Sequence, residues 1–156
     1  MLESPENQVS KMKLEIINLS GHRIISHAFI RKWVQAVFRE LRKRKVRVSS
    51  SQLNLVFVNS PEMKRLNRTF RSKNKPTDVL SFSSSEKLSH KQAELGEIVL
   101  CTHYIKQMEQ GPVRERTAYA ILHGILHLLG FEHEKDLRSA KKMYNIQDQI
   151  FEKCFE

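Results

Sequence analysis

The chain has 156 residues, with 27 Lys or Arg against 17 Asp or Glu and a formal charge of +10. That length suits one domain with its own core, and 40% hydrophobic against 28% charged residues, with only 5 Gly and 4 Pro, excludes a collagen-like or low-complexity chain. So large a positive excess costs self-repulsion, and a polyanionic partner is the usual reason to carry it, nucleic acid first and an anionic membrane surface second.

Residues 1–11 are polar, contain Pro5 and are expected to form a loose tail, leaving 12–156 as a single domain. They hold no apolar run of the kind a signal peptide needs. Leu14 to Leu19 reads as a strand closed by Ser20-Gly21. From Ser26 to about Lys45, Phe29, Ile30, Trp33, Val37, Phe38 and Leu41 recur at helical steps on one face. Leu53 to Val58 is the next strand. Ser60 is expected to cap a helix with Pro61 at its first position and Met63, Leu66 and Phe70 inside. A polar loop over 71–77 leads into strands at 78–83 and 95–101, joined by a polar loop over 84–94. A short helix over 102–110 stops at Gly111-Pro112, a long one over 113–130 ends at Gly130, and a last one runs from Asp136 to about Lys153. Its Leu137, Met143, Ile146, Ile150 and Phe151 are expected to point inward. The order β-α-β-α-β-β-α-α-α predicts an α+β fold, a four-stranded mixed sheet packed with about five helices.

Two cysteines, Cys101 and Cys154, are too few for a disulfide framework or a cysteine zinc site, and apolar neighbours suggest buried, reduced thiols. The longest apolar stretch, Ala120 to Phe131, is interrupted by His123 and His127 and is too short to span a bilayer. A cytoplasmic location is expected.

The chemistry is concentrated between His123 and His133. His123 and His127 are four apart on a helix, so their rings leave the same face one turn apart, as two imidazoles sharing an ion require. Gly130 lets the chain turn back, and His133 can supply a third ligand. Three imidazoles leave one position open, which suits a catalytic zinc; imidazole also suits nickel, copper and iron. The spacing H-x-x-x-H-x-x-G-x-x-H is similar to that of the metzincin peptidases, which need Glu directly after the first His as general base. Here that residue is Gly124, so a zinc metallopeptidase is the weaker reading. An RNA-binding factor with a non-catalytic zinc is a third.

Three blocks resemble the YbeY family of rRNA maturation factors: His123 to His133, Leu66 to Arg71 followed by Lys75 to Phe82, and Leu95 to Val99. The resemblance implies a metal-dependent, single-strand-specific endoribonuclease acting in rRNA maturation and quality control of the small ribosomal subunit. It implies one Zn2+ per chain, RNA and not a membrane as partner, and ribosomal proteins or an assembly GTPase as further partners. It also places functional roles on Arg71 and His123. Two departures are Phe131-Glu132, where the family usually has Tyr-Asp, and Gln147, where it usually has Glu.

Arg71 carries a planar guanidinium that can grip two phosphate oxygens. Asp78, Glu97, Glu132 and Glu134 are candidates to support a ligand ring, with turn or surface roles as the alternative. The first long helix ends in a basic run, in which Arg42, Lys43, Arg44, Lys45 and Arg47 are read as RNA-binding, with a solvated face as the alternative. His22, His27, His90 and His103 show no mutual spacing of a site.

Overall fold

The computed structural model describes residues 12–49, 52–84, 94–108 and 111–156. Among these residues nine elements follow in the expected order: β1 (Lys13–Asn18), α1 (His27–Lys43), β2 (Gln52–Phe57), α2 (Ser60–Arg71), β3 (Val79–Ser83), β4 (Glu94–Leu100), α3 (Thr102–Gln107), α4 (Val113–Leu128) and α5 (Leu137–Cys154). The expected tail over 1–11, residues 85–93 of the expected hairpin loop and the last two residues expected in α3 lie outside the described residues. Glu94, read as loop, is instead the buried first residue of β4.

The sheet order is β1-β2-β4-β3. β1 runs parallel to β2 and β2 parallel to β4, while β3 returns antiparallel on β4, so the sheet is mixed. Residues alternate between faces along a strand, and β4 uses both. Ile98 and Leu100 join the larger core, with Trp33 and Val37 of α1, Ile121 and Ile125 of α4, and Met143 and Ile150 of α5. Val99 joins a smaller core with Met63 of α2, Leu80 and Phe82. The sheet is therefore covered by α1, α4 and α5 on one face and by α2 on the other, the layered arrangement that buries both faces of its central strands. Trp33 ties α1 to α4 by donating from Nε1 to the Ala118 carbonyl at 2.8 Å. Both cysteines are free thiols, Cys101 buried and Cys154 half-buried.

Two boundaries and one burial correct the sequence reading. The cap of α2 is Asn59, whose Oδ1 accepts from the Glu62 N–H at 3.0 Å; Ser60 is already helical. Arg71 is the last residue of that helix, not the first of a loop, and Ser72 stops it in the left-handed region at φ 57°. Leu137 is 88% exposed. It is the first residue of α5, which starts at its Asp136 cap before the helix meets the core.

Candidate metal centre

α4 ends in the manner that brings a third histidine back to the first two. The Gly130 N–H donates to the His127 carbonyl and the Phe131 N–H to the Leu126 carbonyl, both at 3.0 Å. These paired bonds form the Schellman stop, which needs a left-handed residue just past the helix, and Gly130 supplies it at φ 98°. The chain reverses there and returns His133 to the face of α4 that carries His123 and His127. The three donor atoms lie within 4.8 Å of one another.

His123 Nε2 and His127 Nε2 are 3.1 Å apart. Two nitrogens on one tetrahedral ion, each at about 2.0–2.1 Å, stand roughly 3.3–3.4 Å apart, so this pair is set for a shared cation. Burial is the main cause that lowers the pKa of both rings. His127 is pushed down to about 4, with His123 and His133 adding to the effect. In His123 the downward shift wins over an opposing hydrogen bond from Gln147. Both rings are thus neutral at pH 7 and keep a lone pair, the state a ligand needs.

Behind the pair, His123 Nδ1 lies 2.9 Å from Oε1 of the fully buried Gln147 in α5. Tyr144, one turn earlier, stacks on His123 with ring centroids 6.1 Å apart and lies 5.7 Å from His133. Neither contact is visible along the chain, because more than ten residues separate each partner. The only trace in the sequence is that position 147 departs from the family's usual Glu.

Gly124 has a packing reason. A Cβ there would stand 2.9 Å from both Cδ1 and Cγ2 of Ile98. The position where a metzincin carries its glutamate therefore faces the sheet so closely that any side chain there must displace Ile98. Gly96 makes the matching approach from β4, where a Cβ would meet Leu128 Cδ2 at 2.8 Å and the Phe82 carbonyl even closer.

The histidines open on a groove of about 1030 Å³, whose wall also carries Arg71, Lys73, Lys75 and Lys135. Arg71 Nη2 donates to the Ser81 carbonyl at 2.7 Å, and its guanidinium lies over the Phe82 ring at 5.0 Å. The Ser81 hydroxyl in turn donates to the Gly124 carbonyl at 3.4 Å. Arg71 is thereby tied through β3 to the helix that bears the histidines. Glu132 and Glu134 also line the groove. Asp78 lines it too, but its Oδ1 accepts from the Val79 N–H at 2.9 Å and from Thr77 Oγ1 at 3.2 Å, a turn-forming role. Glu97 stands in β4 opposite Phe82.

The basic run is elsewhere. None of Arg42, Lys43, Arg44, Lys45 or Arg47 lines the groove. Arg44 pairs with Glu40 at 3.1 Å and donates to Gln149 Oε1 at 2.7 Å.

A mixed sheet bearing a helix with two neutral histidines, and a third returned to them, defines a candidate metal-centre protein whose groove is lined by charged side chains. The family model described as endoribonuclease YbeY matches residues 15–154, and the chain belongs to that family. It is 40% identical to the endoribonuclease YbeY of Bdellovibrio bacteriovorus, over 90% of this chain and 94% of that one. It is 34% identical to that of Persephonella marina, over 85% and 86%. A solution structure of a Thermotoga maritima protein shares the fold, with a TM-score of 0.59 at 22% identity over 91% of this chain and 89% of that one. No helix among the described residues is long and apolar enough to cross a membrane.

Proposed function

We propose that this protein is a zinc-dependent endoribonuclease that cuts single-stranded RNA during maturation and quality control of the small ribosomal subunit. The observation that carries the metal is the 3.1 Å pair of neutral imidazole nitrogens with His133 beside it. The RNA substrate is supported by membership of a family whose relatives are named endoribonucleases and by the cationic groove wall. His123, His127 and His133 are the ligands, in a donor set of three imidazoles that fits zinc. A divalent cation held there supplies Lewis acidity and a lowered pKa for water.

The residues around it do the rest. Arg71, positioned on the groove wall by Ser81 and Phe82, acts on the phosphate oxygens on which charge grows at scission. Lys73, Lys75 and Lys135 draw the strand into the groove. Arg42, Lys43, Lys45 and Arg47 contribute at longer range from the end of α1, as does Arg44 from its seat beside Glu40. Residues 12–156 act as one domain in the cytoplasm, with rRNA and ribosomal proteins or an assembly GTPase as partners.

Elemental analysis of protein purified without added metal, run beside cleavage of single-stranded and structured RNA, tests this. One zinc per chain and cleavage confined to single strands are expected, with both lost in His123→Ala. Unchanged zinc content after replacement of all three histidines would remove the metal assignment. Zinc without cleavage would leave an RNA-binding factor.

A further inference from the structure

Gln147 has an odd hydrogen-bond inventory. It is 0% exposed, its Oε1 faces His123 Nδ1 at 2.9 Å, and its Nε2 has no partner among the described residues. A buried amide donor left unpaired costs the free energy of its lost hydration, so the residue is poorly explained as a stabiliser of the fold. What it does do is face one ring of the candidate metal site from behind.

The consequence lies in the tautomer. A neutral imidazole carries one N–H and one lone pair, and the hydrogen bond made by one nitrogen decides what the other can do. With Oε1 toward the ring, His123 carries its proton on Nδ1, and the Nε2 lone pair is presented toward His127. An amide can also turn end for end. Its Nε2 would then donate to Nδ1, the proton would sit on the His123 Nε2, and that nitrogen could not bind a cation. Among the described residues nothing on the far side of Gln147 holds the amide against this turn, because Nε2 has no partner there. A carboxylate has only acceptors and would permit the first arrangement alone.

We infer that Gln147 is the positioning residue of the site: its carboxamide holds His123 in the Nδ1–H tautomer that presents Nε2 to the metal, and it does so less firmly than a carboxylate would. The inference rests on the reading of His123 as a ligand, and its test separates the two.

Three proteins are compared: wild type, Gln147→Leu and Gln147→Glu. The first measurement is the His123 tautomer in metal-free protein, from long-range 1H–15N couplings. Wild type is expected mainly as Nδ1–H, Gln147→Glu wholly so, and Gln147→Leu shifted toward Nε2–H. The second is Zn2+ affinity by competition with a chromophoric chelator. Loss of a hydrogen-bond partner behind a ligand histidine typically costs about 10–100-fold in affinity, and Gln147→Leu is expected in that range. Gln147→Glu should bind Zn2+ at least as tightly as wild type and show the larger rise in melting temperature on metal loading. A purely structural glutamine would lower melting temperature in both variants without moving tautomer or affinity in opposite directions. The inference is overturned if the Leu variant keeps the wild-type tautomer and affinity. If wild type binds no Zn2+, the ligand reading fails, while the tautomer measurement still decides the role of Gln147.

Discussion

Two regions of this protein are rich in charge and in polar side chains, and they handle them in opposite ways. At the seam between α1 and α5, Glu40 is buried and holds Arg44 at 3.1 Å and Lys153 at 3.1 Å, while Arg44 also reaches Gln149. Positive charge there is matched by a carboxylate that the fold itself supplies. In the groove at the other region, His123 and His127 are uncharged, and Arg71 meets a carbonyl and an aromatic face. The density of basic residues along the sequence is highest at the α1 end. The candidate chemistry sits in the groove, where that density is lower.

The largest expected effect tests the groove side of that contrast. Arg71→Lys keeps the charge and loses the fork. Loss of one preorganised donor to developing charge typically costs about 10²–10³ in rate, so single-turnover cleavage of a saturating RNA should slow by that factor. The fall belongs in kcat more than in KM, with zinc content unchanged. Near wild-type turnover would take Arg71 out of the chemistry.

A smaller effect tests what holds the groove helix down. Gly124→Ala gains about 1 kcal/mol of helix propensity but forces a Cβ to 2.9 Å from the fully buried Ile98, and overpacking costs about 1–3 kcal/mol. Net destabilisation of up to about 2 kcal/mol follows, read from urea unfolding. Combining it with Ile98→Ala should cost less than the sum of the two, because the second change clears the space the first one needs. Strict additivity would mean that the two residues do not touch.

The contrast sharpens further at the seam. Replacing Arg42, Lys43 and Lys45 together by Gln spares the Glu40 pairing. If these cations reach RNA, the slope of log affinity against log salt should fall by about 0.7 for each single-strand phosphate that they no longer neutralise. Metal content should stay the same. An unmoved slope would assign all electrostatic attraction to the groove wall.

The smallest expected effect is in acid. The hydrogen bond from Lys153, with Arg44 beside it, holds the Glu40 carboxyl below its ordinary value of 4.5 against the opposing effect of burial. A group whose pKa is lowered by folding contributes stability above its unfolded pKa and loses it as pH falls through the folded one. Urea midpoints of wild type should therefore drop as pH falls below the ordinary carboxylate value and through the lowered folded one, and Glu40→Gln should flatten that drop. Parallel curves for the two proteins would show that Glu40 titrates alike in both states.

Much of this protein is decided locally, and that part was open to reading. The order of strands and helices follows from hydrophobic periods of two and 3.6 residues, which any short window displays. His123 and His127 share a face because a helix returns every fourth residue to it, and Gly130 marks the reversal because few other residues accept its φ. Where one side chain meets a distant one, the sequence carries no such period. Leu137 has the composition of a core residue and stands in solvent, because the packing of α5 begins beyond its first turn. Arg44 looks like its neighbours Lys43 and Lys45, and only the approach of α5 gives it Gln149. Gln147 is 24 positions from His123, and Arg71 is 10 from Ser81. Sequence alone thus determined the elements and the residue types able to bind a metal. The tertiary structure decided which polar groups stand behind them and which cations are already matched, because those pairings exist only once separate elements are packed.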